Sequence, residues 1–207
     1  MCNALTDIGY PSFYDTLESI KLKDPLADLL GALEDGYVEF CYLDVVKSAG
    51  HSCPTVAGAY MMALYGLKAL YGKELPVRGE IQVSFSADPN EGAAGVVANV
   101  FTQITGATQH FGFKGLGGHF VRHGLMDFNE EIGAAVQLTN AKTDKSVKVR
   151  YKPELIQSDP RQKELLQKVL TGSASEDEKK LFHKIWQGRV QKILTNPELV
   201  IEVATSD

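Results

Sequence analysis

Apolar and polar positions follow two different rhythms along this chain. The clearest signal is "TVAGAYMMALYGLKAL", residues 55–70, which is apolar nearly all round. A helix without a polar face is buried on most sides, so this segment predicts a helix running through the core. Upstream, Phe13, Leu17 and Ile20 stand at helical spacing behind Ser12, a good cap, and predict a helix over 12–22. "PLADLLGALED" predicts a second, short helix with Pro25 in its first turn. "YVEFCYLDVVKSAG" is rich in β-branched and aromatic residues and reads as a strand toward Gly50, its last part open to helix.

Downstream, Ile81, Val83 and Phe85 alternate on one face and predict a strand. "PNEGAAGVVANVFTQITG" follows as a helix with Gly106 as its C-cap. "IGAAVQLTN" and "SVKVRY" bracket "AKTDK" as a hairpin. "SDPRQKELLQKVLTG" and "SASEDEKKLFHKIWQGRVQKIL" are charged amphipathic helices, the second opening on a capping-box pattern. This order predicts an α+β fold, a small mixed sheet covered by apolar helices. Residues 1–157 form the α+β domain with its N-terminal helices, and 158–207 form a C-terminal helical extension that packs on the domain or on a partner chain.

Composition narrows the function classes. The net charge of −5 over 207 residues argues against nucleic acid or an anionic membrane as general partner. No window reaches the roughly 18 apolar residues of a membrane span. The opening "MCNALTDIGYPSFYDTL" shows neither a basic n-region nor an apolar h-region, so no signal peptide is expected. Cys2, Cys41 and Cys53 are too few and too scattered for a disulfide framework, and the expected compartment is the cytoplasm.

Chemistry concentrates at "GHSCP", residues 50–54. In an extended segment His51 and Cys53 project on the same side and offer a nitrogen and a sulfur suited to zinc. The partial positive charge of a helix start favours the thiolate, which is both nucleophile and metal-binding form. The alternative is a capped histidine and a small buried thiol at a turn. Further ligands would come from "HFGFKGLGGHFVRHG", residues 110–124, which holds His110, His119 and His123 among five glycines. Solvated histidines in a mobile loop are the competing account. Asp88 and Glu91 read more simply as turn and helix-start residues than as partners orienting a ligand. His183, on a charged face, reads as solvated, and Cys41 as a small buried hydrophobe. Tyr60 and Met61 belong to the core, or wall an apolar pocket for a small-molecule ligand or cofactor.

"GHSCPTVAGAYMMALYGLKAL" resembles the opening signature of the FmdE-like family, named for a component of formylmethanofuran dehydrogenase, and "GVVANVFTQITGAT" resembles its second. The resemblance implies a fold related to the catalytic domain of glyceraldehyde-phosphate dehydrogenase, a homodimer, and metal at the His-x-Cys site. Two positions depart from the pattern: the family's second cysteine falls on Ala107, and its acidic residue falls near Asn99. The family's C-terminal cysteine-rich segment has no counterpart, since no cysteine follows Cys53. His110 lies three positions past Ala107, so the expected ligand set is His51 and Cys53 with His110 and His119. Zinc is the foremost metal, and iron or nickel also suit nitrogen-rich donors. The alternative function is a non-enzymatic module holding haem through a loop histidine.

Overall fold

The computed structural model describes residues 9–206. Its main sheet has five strands in the order β4-β3-β5-β6-β7. These are β3 (Ile81–Phe85), β4 (Met126–Asp127), β5 (Val136–Asn140), β6 (Ser146–Tyr151) and β7 (Ile201–Ser206). Only the β3–β4 pair is parallel, so the sheet is mixed as the pattern predicts. Val83 stands opposite Leu138, and Leu138 opposite Val147, so one apolar row crosses three strands. Ile81, Phe85, Val136 and Val149 extend that buried face. Period-two alternation therefore sets both the register and the side that meets the helices.

Helix α3 (Pro54–Tyr71) lies on this face. Two glycines allow the approach: a Cβ at Gly66 would press on Leu138 and Val149, and one at Gly58 would overlap the Tyr151 ring. Helices α2 (Tyr42–Ala49), α4 (Ala94–Thr105) and α6 (Glu176–Thr195) complete the cover of α3. That enclosure within one chain accounts for its lack of a polar face. α4 ends at Gly106 in the left-handed conformation, φ 77°, as expected for the C-cap.

The N-terminal part departs from the expected helix over 12–22. Only a 3-10 turn forms, Ser12–Thr16, and Ile20–Lys23 is strand β1, paired antiparallel with β2 (Tyr37–Phe40). Phe13, Leu17 and Ile20 share a helical spacing, but Ile20 and Leu22 are buried while Lys21 is exposed. That local alternation, fixed by pairing to β2, outweighs the longer period. Between these strands lies α1 (Pro25–Leu29), with Pro25 in its first turn and Asp24 as cap. The "YVEFCYLDVVKSAG" stretch divides into β2 and α2. Cys41 is not a plain buried hydrophobe: it caps α2 in a reciprocal pair with Asp44, whose Oδ2 accepts from the Cys41 backbone N–H at 2.9 Å.

Residues 158–207 hold α5 (Gln162–Leu170), α6, the short α7 (Pro197–Val200) and edge strand β7. The expected extension thus carries a strand of the main sheet. Val190, Ile193, Leu194 and Val200 are buried in the same core as α3. β7 is hard to read from sequence because "IEVATS" follows a charged helix without a glycine-rich turn. No helix among the described residues is long and apolar enough to cross a membrane.

The start of α6 gives an acid-sensitive marker. Ser175 Oγ accepts from the Glu178 N–H at 3.2 Å, and Glu178 Oε2 accepts from the Ser175 N–H at 2.8 Å. Lys168 donates to Glu178 Oε1 at 2.7 Å, and this bond, followed by the Ser175 N–H, lowers the Glu178 carboxyl to about 2. A depressed carboxyl contributes stability above its unfolded pKa, about 4.3, and loses it as pH falls through the folded value. A carboxyl-carbon NMR titration should place the Glu178 midpoint near pH 2, and Lys168→Met should move it upward. A wild-type midpoint at the ordinary glutamate value would show that the cap does not hold in solution.

Candidate functional site

The junction of α2 and α3 positions the His-x-Cys pair. α2 ends at Gly50, φ 74°, a conformation glycine adopts without strain. The chain then runs to extended Cys53, and Pro54 opens α3, where its missing N–H costs nothing. His51 is exposed, and its Nδ1 lies 3.0 Å from the Ala49 carbonyl oxygen. A carbonyl only accepts, so in the neutral ring Nδ1 carries the proton and Nε2 keeps its lone pair. His51 borders an open cleft of about 530 Å³ between α2 and α4, with Ser48, Asn99, Thr102 and Gln103 among its polar walls. Asn99, the position where the resemblance places an acidic residue, therefore shares the cleft with His51.

Cys53 carries a free, half-buried thiol whose Sγ accepts from the Val56 N–H at 3.4 Å as the α3 cap. Around it lies a buried polar network. Tyr42 and Ser52 hydroxyls are 2.8 Å apart, and the Tyr151 hydroxyl donates to the Pro54 carbonyl at 2.7 Å. The Ser52 carbonyl accepts from Trp186 Nε1 at 2.9 Å, and Tyr14 donates to Gln187 at 3.1 Å. Burial is the largest influence on the Tyr42 and Tyr151 hydroxyls and raises both pKa values, keeping the phenols neutral. The turn is thus pinned from α2, β6 and α6. None of these partners is legible as such in the sequence, although a lone Trp186 in a charged helix is a recognisable anchor.

The expected loop ligands lie elsewhere. His110, His119 and His123 are exposed. His119 borders a different cleft with Arg78 and Lys142, and His110 does not line the His51 cleft. Among the described residues no three His, Cys, Asp or Glu side chains gather where they could hold a metal ion. Ala107, at the family's second cysteine position, is buried with its carbonyl accepting from Thr102. Tyr60 and Met61 are core residues rather than walls of either cleft, and the Tyr60 hydroxyl donates to the Glu18 carbonyl at 2.6 Å. Asp88 and Glu91 follow the simpler account: Asp88 accepts from the Asn90 backbone N–H at 2.9 Å, and Glu91 from the Asp88 N–H at 3.4 Å. His183 is exposed on α6, and Cys2 lies outside the described residues.

Comparison with known proteins identifies the lineage of this arrangement. No curated protein matches the chain. Among solved structures, the chain is similar to an FmdE-like protein of tungsten formylmethanofuran dehydrogenase from Syntrophus aciditrophicus. That likeness has 16% identity and a TM-score of 0.43, over 81% of this chain and 73% of the other. The family model described as "FmdE, Molybdenum formylmethanofuran dehydrogenase operon" matches residues 49–201, from the turn that presents His51 into the first residue of β7. With nearly three quarters of its length matched, the chain belongs to the FmdE family.

Proposed function

We propose that this FmdE-family chain is a metal-binding protein with a role tied to formylmethanofuran dehydrogenase, and that His51 and Cys53 are its own donors. One observation carries the reading: the Nδ1–H of His51 is held by the Ala49 carbonyl, which leaves Nε2 as a directed donor at the edge of an open cleft. Metal-bound histidines characteristically give their second nitrogen to such a carbonyl. A structural zinc centre needs four protein ligands, and the described residues of one chain do not assemble three. The single chain therefore does not fit a complete centre, and no reaction step runs through a metal.

The remaining donors are proposed to come from a second copy. α3 is covered within its own chain and gives no reason for a dimer, but α4 leaves Val96 and Asn99 exposed on the His51 cleft. A reducing compartment such as the cytoplasm suits the free Cys53 thiol. Zinc is the expected ion. Elemental analysis of untagged protein should find metal, with His51→Ala and Cys53→Ser each losing most of it while remaining folded. Light scattering should report a dimer. Full occupancy in both variants would sink the assignment, and a Soret band would replace zinc with haem.

A further inference from the structure

The second cleft holds an unusual balance of charge. Arg78, Glu80, His119 and Lys142 border a space of about 400 Å³ beneath the glycine-rich loop. Behind Gly79 lies Arg122, packed so closely that a Cβ on that glycine would overlap its Nη1. Arg122 donates to Asp24 Oδ1 at 2.7 Å and Arg78 to Asp24 Oδ2 at 3.2 Å, so one carboxylate serves two guanidinium groups. Lys142 reaches Glu80 only at 3.9 Å. Three permanent cations thus face two carboxylates, with His119 in addition. Two guanidinium N–H groups, Arg78 Nε and Arg122 Nη1, are buried without a partner among the described residues. Burial is the largest influence on Arg78 and lowers its pKa, with Arg122 acting in the same direction and Asp24 opposing both.

We propose that this cleft binds a small anion carrying a carboxylate or phosphate group, with Arg78 as the fixed donor and Lys142 and His119 as the outer contacts. Three features support it: surplus positive charge, a guanidinium held in place by its bonds to Asp24 and to the Gln103 carbonyl, and a cleft large enough for more than a bare ion. Arginine's planar fork suits either oxyanion. The loop above it is shaped rather than slack. Leu116 and His119 exchange backbone hydrogen bonds at 2.9 Å, and the Arg122 N–H donates to the Phe113 carbonyl at 2.8 Å. His119 is thereby presented by a closed turn. The site lies apart from the His51 cleft and does not rest on the metal reading.

Isothermal titration of the full chain with inorganic phosphate and with glutarate, in the presence of a chelator, tests the assignment. At least one should bind one-to-one with a dissociation constant below about 10 mM. Phosphate alone would assign a phosphorylated ligand, glutarate alone a carboxylate, and either result supports the site. Arg78→Lys should weaken binding about tenfold by removing the planar donor. Lys142→Ala, at an exposed position that leaves folding intact, should weaken it several-fold, while the control Lys145→Ala should not change it. No binding of either anion, or equal binding by wild type and Lys142→Ala, would overturn the proposal.

Discussion

Replacing Asp24 by alanine is expected to cost about 3–5 kcal/mol of stability, the cost of breaking a buried ion pair by removing one partner. Asp24 and Arg122 are each only 7% exposed, and Arg78 shares the same carboxylate. Without Asp24, two guanidinium groups remain in a poorly hydrated site with no counter-ion. The same carboxylate accepts from the Leu26 and Ala27 N–H groups at 3.0 and 3.3 Å, so the α1 cap is lost as well, adding about 1 kcal/mol. For a chain of this size 1 kcal/mol shifts Tm by about 2–4 °C, so a fall on the order of 10 °C should be seen. Amide exchange in residues 108–125 should quicken, because Arg122 ties that loop to Asp24. Asp24→Asn keeps an acceptor for the cap but not the charge, and should fall between wild type and alanine. A shift below about 1 kcal/mol for Asp24→Ala would mean that the two arginines are hydrated or neutralised in another way.

That ion cluster also marks where sequence reasoning stops. The strongly periodic segments declare themselves: α3 by its unbroken apolar surface, β3 by Ile81, Val83 and Phe85, and the β5–β6 hairpin by its polar turn. In each, the local pattern and the buried face agree. β1 misleads because Ile20 belongs at once to a helical series with Leu17 and to an alternating one with Leu22. Only its pairing with Phe40 on β2 decides between them. The glycine content of residues 110–124 predicts a loop that stays mobile unless a ligand fixes it. Instead its own backbone bonds close it, Thr108 N–H to the Arg122 carbonyl at 2.9 Å and Gly124 N–H to the Gln109 carbonyl at 2.6 Å. Its anchor is invisible in the sequence because Arg122 meets Asp24 across 98 residues. At the candidate site His51 and Cys53 are legible from their spacing and the helix they precede. The tyrosine and tryptophan network that pins their turn comes from three other elements, and no spacing rule links Ser52 to Trp186.

Gly58→Ala should destabilise the protein even though it places the best helix former in the middle of a helix. On propensity alone the change would stabilise α3 by about 1 kcal/mol. Gly58 is instead the slot in which the Tyr151 ring lies: a Cβ there would overlap ring atoms Cδ1, Cε1 and Cζ. The ring cannot simply swing aside, since its hydroxyl is bound to the Pro54 carbonyl at 2.7 Å, one helical turn earlier. Relief must come from moving α3 off β6 or from breaking that bond, and overpacking of this kind costs about 1–3 kcal/mol, more than propensity returns. Because the same ring packs beside the Cys53 turn, the Cys53 thiol should also react faster with thiol reagents in the variant. Tyr151→Ala is destabilising alone through the cavity it leaves, but adding Gly58→Ala to it should cost nothing further and should recover part of the helix propensity. A double-mutant cycle by urea denaturation reads this directly as strong non-additivity. Additive losses, or a Gly58→Ala variant more stable than wild type, would show that α3 approaches β6 less closely than the glycine slot requires.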